Sequence, residues 1–310
     1  MLRAMSCGVA GIDTHQNAMG VVGNNISNVN TYGFKSSSAA FTDVMYQTLS
    51  NASAPGVSNG GKDPVQVGYG SKTGTISVNT TKGDEASTGN SSDLYIDGEG
   101  YFTLANQLPS GTTTPGIGTQ PDSYKYTRVG AMKFDSSGNL VDTATGSYVC
   151  GMNSLASGAT DTTLPTSVPT SPDWTKAETK PEVIHYDTTN TKNTLKDVAI
   201  SADGTITATN SAGSAVYVGK LELAHFANPA GLSQDGSSCL SVSDNSGTPS
   251  YNFAGSGATG SLVTGALEAS NVDLATELSN MIVYERGFQA NSKIITVSDE
   301  MLETLVNMKR

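Results

Sequence analysis

The C-terminal end of the chain decides the fold: residues 271–310 have the sequence NVDLATELSNMIVYERGFQANSKIITVSDEMLETLVNMKR. An apolar residue recurs there at every seventh position: Leu274, Met281, Phe288, Ile295 and Leu302. Other apolar residues, including Leu278 and Leu305, widen the stripe to one face of a helix. The pattern therefore predicts one long amphipathic helix over 271–310, with Asn271 or Ser270 as its N-cap.

A second helical pattern occupies residues 1–27. Met5, Ile12, Met19 and Ile26 again fall seven positions apart, and Leu2 and Val9 extend the same apolar stripe. A solitary amphipathic helix gains little stability until its apolar face is covered. The two terminal helices are therefore expected to pack side by side, either within one subunit or between subunits.

The stretch after the first helix has an unusual composition, with four Asn and two Gly among residues 23–33. Both residue types accept left-handed backbone conformations, which favours a sharp turn of the chain. We predict a bend there, formed by Asn24, Asn25, Asn28, Asn30 and Gly33. The surrounding segment 28–75, rich in Gly and Ser with little periodicity, is predicted to be a linker.

Residues between the helices carry strand and turn signals, which predict a β-rich body over 76–149 and 190–270. Leu94–Ile96, the Gly-rich stretch 97–100 and Tyr101–Leu104 predict a strand, a turn and a strand. Segment 150–189, rich in Ser, Thr and Pro, is predicted to be a small insertion or a rudimentary outer domain. The predicted class is α+β, with a mainly antiparallel β body inserted between helices 1–27 and 271–310, which pair as a coiled-coil-like core.

Composition argues against several classes of function. The chain has 17 basic and 28 acidic residues, a net charge of −11, which argues against nucleic-acid binding. No stretch is apolar enough to predict membrane insertion, and the N-terminus lacks the apolar region of a cleaved signal peptide. The three cysteines, Cys7, Cys150 and Cys239, are far apart and form no CxxC motif, so no metal site is predicted.

Two motifs resemble ligand-binding loops but are better explained as a linker and a turn. Residues 68–74, GYGSKTG, fail the Walker spacing, which favours a flexible linker over a phosphate loop. Residues 135–139, DSSGN, have too few carboxylates for a calcium site and predict a β-turn. No catalytic constellation is present, so we expect neither an enzyme nor a bound cofactor. A secreted β-rich adhesin remains open on composition alone, but it does not explain helical patterns at both ends.

Several motifs resemble the axial proteins of the bacterial flagellum, the family of rod, hook and hook-associated proteins. The N-terminal motif is VGNNISNVNTYGFK at 22–35, and the C-terminal motifs are GALEASNVDL at 265–274, YERGFQAN at 284–291 and LVNMKR at 305–310. The central motifs are DLYIDGEGYF at 93–102, YTRVG at 126–130 and FANPAGL at 226–232. Together they span nearly the whole chain.

The resemblance implies a structural subunit that self-assembles into a hollow helical tube, with the terminal helices as its inner wall. Leu2, Met5, Val9, Ile12, Met19 and Ile26 would pack against Leu274, Leu278, Met281, Phe288, Ile295, Leu302 and Leu305 and against neighbouring subunits. In a dilute monomer both ends would be largely disordered. Glu285 and Ser292 interrupt the second apolar row near the middle of the C-terminal helix.

Within the family, segment 60–68 and the closing residues 307–310 favour a hook protein, the flexible universal joint that transmits torque from rod to filament. The distal rod protein is the alternative, because many hook proteins carry a large outer β domain, which in this chain is at most the segment around 150–190, and distal rod proteins lack that domain. The implied partners are copies of the chain itself, the distal rod protein, the hook cap, the hook–filament junction proteins and the flagellar type III export apparatus. The implied location is the extracellular flagellum, reached without a cleaved signal peptide.

Overall fold

The computed structural model describes residues 2–55, 60–107, 119–154, 164–166, 180–186, 197–210 and 213–308. The chain divides into two compact units. The first, here the helical unit, comprises Met1–Val29, Ser36–Asn79 and Val272–Arg310; the second, the β unit, comprises Asn30–Lys35 and Thr80–Asn271. Two long terminal helices and a mainly antiparallel β body confirm the predicted α+β class.

The helical unit contains α1 (Leu2–Ser27) and α2 (Leu274–Met308), which pack against each other. Its strands are β1 (Ser37–Asp43), β2 (Tyr46–Ser50), β3 (Val65–Gly68) and β4 (Ser71–Val78). β1 pairs with β4 and β2 with β3, both antiparallel, so the four strands form one long two-stranded ribbon. The predicted linker over 28–75 thus contains regular strands. Their small polar residues and mostly exposed faces leave little apolar alternation to detect.

The β unit is built from short antiparallel strands. In chain order they are β5 (Glu85–Ser87), β6 (Leu94–Asp97), β7 (Tyr101–Gln107), β8 (Ser123–Thr127), β9 (Met132–Phe134), β10 (Leu140–Asp142), β11 (Cys150–Asn153), β12 (Glu182–Val183), β13 (Val198–Ile200), β14 (Thr205–Thr209), β15 (Ala215–His225), β16 (Ser233–Gly236), β17 (Cys239–Ser241), β18 (Ser250–Phe253), β19 (Ser261–Thr264) and β20 (Ala266–Glu268). A short 3-10 helix, Pro229–Gly231, follows β15.

One large sheet organises the described part of this unit. Its main path runs β12-β11-β15-β7-β8-β17-β16, with β13, β14 and β18 attached. β15 is its centre, because it pairs with β7, β11, β14 and β18 along its eleven residues. The main apolar core packs against it, with Phe102, Leu104, Leu221 and Leu223 among its buried members. Of the predicted insertion 150–189, most falls outside the described residues; its ends, β11 and β12, belong to this sheet.

The predicted strand, turn and strand around Asp97–Gly100 are present as β6 and β7, but these two strands do not pair with each other. β6 pairs with β19, whereas β7 pairs with β8 and β15. Gly98 and Gly100 have φ of 138° and 129°, and a Cβ on Gly98 would lie 2.8 Å from Cα of Gly260. The two glycines therefore carry the chain from one sheet to another instead of closing a hairpin.

The predicted turn at 135–139 is confirmed, and β9 and β10 pair on either side of it. The Asp135 carboxylate accepts the backbone N–H groups of Ser137 (2.9 Å) and Asn139 (2.8 Å). This side-chain bonding is typical of Asp at the start of a turn.

The β16–β17 turn offers a direct stability test. Ser237 and Ser238 form a two-residue loop with φ of 52° and 57°, a conformation that costs L-residues other than Gly, Asn and Asp about 1–2 kcal/mol each. Replacing the pair with Asn-Gly, the preferred sequence for such a loop, should raise the free energy of unfolding by about 1 kcal/mol in urea titrations. Ser261→Gly, in a strand, should lower it. An Asn-Gly variant no more stable than the parent would contradict the strain argument.

Candidate assembly surface

The helix pair is closest where glycines lie on α1 and α2. A Cβ on Gly8 would lie 3.1 Å from Ile295 Cγ1, and a Cβ on Gly11 would lie 2.6 Å from Asn291 Nδ2. A Cβ on Gly287 would lie 2.6 Å from the ring of His15. Real Cβ atoms essentially never come as close as the 2.6 Å at Gly11 and Gly287, and the 3.1 Å at Gly8 is tighter than most Cβ contacts, so these glycines set the separation of the helices. The helices run antiparallel, since early residues of α1 meet late residues of α2.

A buried amide joins three segments of the helical unit. The side chain of Asn25 is fully buried, and its Nδ2 donates to Ser37 O (2.7 Å) and to Glu277 Oε1 (3.0 Å). Its Oδ1 accepts the backbone N–H of Ser37 at 2.9 Å. The end of α1, the start of β1 and the first turn of α2 are therefore held by one residue.

The predicted N-terminal assembly residues lie beside, rather than within, the buried face of α1. Met5, Ile12, Met19 and Ile26 are half-buried, Val9 is 54% exposed, and the side chain of Leu2 lies outside the described residues. The buried face is formed by Gly8, Gly11, Thr14, Ala18, Val22 and Asn25. These residues recur every three or four positions, which marks one face of a helix. The prediction missed this face because it considered only large apolar side chains.

The predicted C-terminal residues divide into two groups. Met281, Phe288, Ile295 and Leu302 are half-buried. Leu274, Leu278 and Leu305 are 43%, 51% and 45% exposed. Within the described part of α2, Ser298 alone is buried, so most of the apolar surface of this helix is left uncovered by its own chain.

Eight of the ten exposed large apolar side chains in the described part of α2 form two patches, and Val283 and Val306 lie outside them. The first patch comprises Leu274, Leu278 and Ile282, and the second comprises Ile294, Val297, Met301, Leu305 and Met308. Successive members lie three or four residues apart, so each patch follows one side of the helix. Contiguous apolar surface of this kind marks an interaction site in a protein that folds in water.

A polar belt separates the two patches. Gln289 Nε2 donates to Glu285 Oε1 (2.9 Å), and Arg286 Nη1 donates to Gln289 Oε1 (3.0 Å). All three side chains are exposed. The predicted interruption at Glu285 is therefore present as a hydrogen-bonded network one turn long.

The ribbon also exposes apolar side chains. They are Phe41, Met45, Tyr46, Leu49, Val65, Tyr69 and Ile76. The Gly-rich stretch 68–74, predicted as a flexible linker, lies within the ribbon where it approaches α1: a Cβ on Gly70 would lie 3.2 Å from Ala10 Cβ and 3.3 Å from Cys7 Cα. A two-stranded ribbon is marginally stable alone, which makes its uncovered face a second candidate contact surface.

The asparagines of the predicted bend act through side chains rather than through left-handed backbone. Asn24 and Asn25 lie in the last turns of α1, Asn28 Nδ2 donates to Asn24 O at 3.0 Å, and Asn30 is exposed just beyond the helix. In this stretch only Gly33, with φ of 68°, is left-handed. The non-glycine residues with positive φ among those described are Ser237 and Ser238, in the β16–β17 turn. The amide groups cap α1 in place of the expected strained turns.

The N-cap of α2 is Asp273, so the predicted caps Asn271 and Ser270 are wrong. Asp273 Oδ1 accepts the N–H of Ala275 (3.0 Å), and Oδ2 accepts the hydroxyl of Thr276 (2.6 Å). These hydrogen bonds hold the pKa of Asp273 below its ordinary value of 3.8. Asn271 instead donates to Thr81 O at 3.1 Å, within the β unit.

Asp273→Ala should unwind the first turn of α2. The lowered pKa means that the ionised carboxylate stabilises the helix above the ordinary pKa and that this contribution is lost as pH falls through the lowered value. Amide hydrogen exchange at Ala275 and Glu277 should therefore be faster in the variant at neutral pH, and the difference should vanish as pH falls through the lowered pKa of Asp273. Asp299→Ala, far from the N-terminus of the helix, is the control. Equal exchange in the variant and the parent at neutral pH would refute the cap.

Within the described ranges, no group of three His, Cys, Asp or Glu side chains lies together as metal ligands would. Cys150 and Cys239 are buried and Cys7 is half-buried; all three are free thiols. Burial raises the pKa of the Cys150 thiol well above its ordinary range. The described helices contain no segment with the length and apolar character of a bilayer-spanning helix.

Comparison with known families matches both termini. Residues 6–35 match the family described as flagella basal body rod protein, and residues 263–308 match the family described as flagellar basal body rod FlgEFG protein, C-terminal. The first match covers most of α1 and the bend, and the second covers α2 with β20 and the end of β19. Each of the two matches therefore includes one helix of the packed pair.

Full-length relatives extend the match across the β unit. The chain is 39% identical over 311 residues to the flagellar basal-body rod protein FlgG of Bacillus subtilis, with all of both chains covered. It is 32% identical over 313 residues to the protein of the same name from Borreliella burgdorferi, again with both chains covered. The flagellar hook protein FlgE of Borreliella burgdorferi is 26% identical across 455 aligned positions, with both chains covered.

Proposed function

The chain belongs to the family of flagellar basal-body rod and hook proteins, and from this premise we propose that it is a subunit of the distal rod. The alignment length carries the proposal. The rod relative from Bacillus subtilis aligns over 311 positions, nearly the length of this chain, whereas the hook relative needs 455. The hook relative therefore carries a large region with no counterpart here, and the rod alternative fits better than the favoured hook prediction.

The proposed activity is self-assembly into a helical polymer, in which neighbouring copies cover the two apolar patches of α2 and the exposed face of the ribbon. Full burial of a large apolar side chain contributes about 1.5–3 kcal/mol, and the eight patch residues are 39–76% exposed, so covering them contributes roughly half that amount each. Together they supply enough to order the helices of adjacent subunits against one another. The role is mechanical rather than catalytic, and the helices of adjacent copies pack in the manner of a coiled coil.

The remaining parts of the proposal follow from family membership. The partners would be copies of this chain, its axial neighbours in rod and hook, and the flagellar type III export apparatus. Export would need no cleaved signal peptide. The subunit would reside in the flagellum, and the adhesin alternative loses its support because rod proteins align with the chain from end to end.

Electron microscopy of basal bodies from a strain lacking this chain tests the assignment. A distal rod subunit predicts basal bodies whose rods are truncated. Basal bodies with a complete rod and no hook would overturn it in favour of the hook. Re-expression of the chain should restore rod length, and re-expression of a chain lacking residues 290–310 should not.

A further inference from the structure

The β unit contains a buried cluster of charges that the assembly surface does not use. Glu268, at the end of β20, is fully buried, and its Oε1 forms an ion pair with Nζ of Lys35 and accepts the N–H of Gly83 at 2.8 Å. Its Oε2 lies 3.2 Å from Nε of Arg128, an ion-pair contact without hydrogen-bond geometry. Lys35 Nζ also donates to Thr81 O at 2.7 Å. Two cations thus share one carboxylate away from water.

The two cations are held differently. The Arg128 guanidinium donates to Gly100 O (2.9 Å) and Gly98 O (2.8 Å), so it belongs to the frame of the β unit. Lys35 depends on Glu268 and Thr81, the two acceptors that its ammonium group contacts. Burial lowers the pKa of Lys35, and the Glu268 carboxylate opposes that shift. A compact ammonium with rotatable donors suits this small site better than a planar guanidinium would.

The cluster lies within the β unit, close in sequence to the points where the chain leaves and re-enters that unit. Those points fall after residues 29, 35, 79 and 271, each within six residues of Lys35, Thr81 or Glu268. The flanking backbone is bonded as well: Gly33 N–H donates to Glu268 O (2.8 Å), and Ala269 N–H donates to Asp84 O (2.9 Å). Segments 30–35, 80–84 and 268–271, the crossing segments, are therefore joined to one another within the β unit.

We propose that Glu268 and Thr81 form a binding site for a primary alkylammonium group, and that Lys35 is its resident internal ligand. Gly83 and Arg128 hold the carboxylate in place, and the bound Lys35 latches segment 30–35 onto the β unit. The latch keeps the crossing segments ordered independently of the helix packing. If the chain forms a rod as proposed above, the segment after α1 and the segment before α2 are then ordered before assembly.

Chemical rescue tests the site in the full-length monomer. Lys35→Ala removes a propylammonium-sized piece of the side chain and leaves Glu268 and Thr81 facing the space. Amide exchange at Gly33 and Gly83 should accelerate at least about tenfold, as expected for loss of a charged hydrogen bond. n-Propylammonium chloride should restore most of the protection, and tetramethylammonium chloride, which has no N–H donors, should not.

Two further variants keep the result decisive. Lys35→Met retains the length of the stem, so it should fold and show the faster exchange while gaining nothing from n-propylammonium, since the space is filled. Ile206→Val, a buried change elsewhere in the β unit, should lower stability without localised exchange at Gly33 and without rescue. Unchanged exchange in Lys35→Ala, or equal protection by both salts, would overturn the proposal. Exchange is measured on monomer, so failure of the rod assignment leaves this result standing.

Discussion

Glutamate in place of both Met301 and Leu305 should abolish polymerisation of the chain. Each side chain is 45% exposed on the second patch of α2. In a polymer the exposed half of each would be covered, so the variant loses about 0.7–1.5 kcal/mol of apolar burial per site and must also bury or repel two carboxylates. A loss of that size raises the critical concentration at least about tenfold, since each 1.4 kcal/mol is a factor of ten. Sedimentation of polymer from monomer across a concentration series measures it.

The matched control changes charge on the exposed polar face of the same helix. Glu300 and Glu303 are exposed acids outside both patches, so Glu300→Gln with Glu303→Gln should leave the critical concentration within a fewfold of the parent. Circular dichroism should show equal helix content in the monomers of all three proteins. Polymerisation of the Met301→Glu, Leu305→Glu protein at the parent's concentration would exclude the second patch as a subunit contact.

Leucine in place of Gly287 should separate α1 from α2. The ring of His15 lies 2.6 Å from where the new Cβ would be, and that ring also packs against Phe41 and Tyr284, with centroid distances of 5.8 and 6.1 Å. The ring therefore has little room to move, and overpacking of this kind costs about 1–3 kcal/mol or more. Urea titration followed by helix content should show the helical unit unfolding at lower urea than in the parent.

Gly20 supplies the control for this substitution, because a Cβ there would meet nothing within 4 Å. Gly20→Leu should stabilise α1 by up to about 1 kcal/mol through helix propensity alone. The same change in residue type is thus expected to act in opposite directions at the two positions. Stabilisation by both substitutions would show that Gly287 does not set the helix separation.

The sequence predicted the long helices and the α+β class well because their apolar residues repeat over many turns. α2 begins at Leu274, close to the predicted start, since the heptads mark it regardless of tertiary contacts. The buried face of α1 was missed because it consists of small residues, Gly8, Gly11 and Ala18, whose role is close approach rather than apolar area. Burial by small residues carries little hydrophobic signal.

The partners of the strands were harder to predict from the sequence than the helices. The Asp97–Gly100 stretch has the composition of a hairpin turn, yet β6 and β7 pair with β19 and β8, far away in sequence. Local residues specify that the chain turns, whereas the partners of each strand depend on the whole β unit. The ion cluster around Glu268 was likewise invisible, because its members lie at 35, 128 and 268 and meet only in the folded chain.

Hydrogen exchange of α2 in dilute monomer and in polymer is the most direct test of the claim that this helix is the assembly device. Its apolar patches are uncovered in the single chain, so residues 274–305 should be much less protected than the β unit in monomer and become strongly protected in polymer. The β unit should be protected in both. Strong protection of residues 274–305 in dilute monomer, unchanged on polymerisation, would contradict the account.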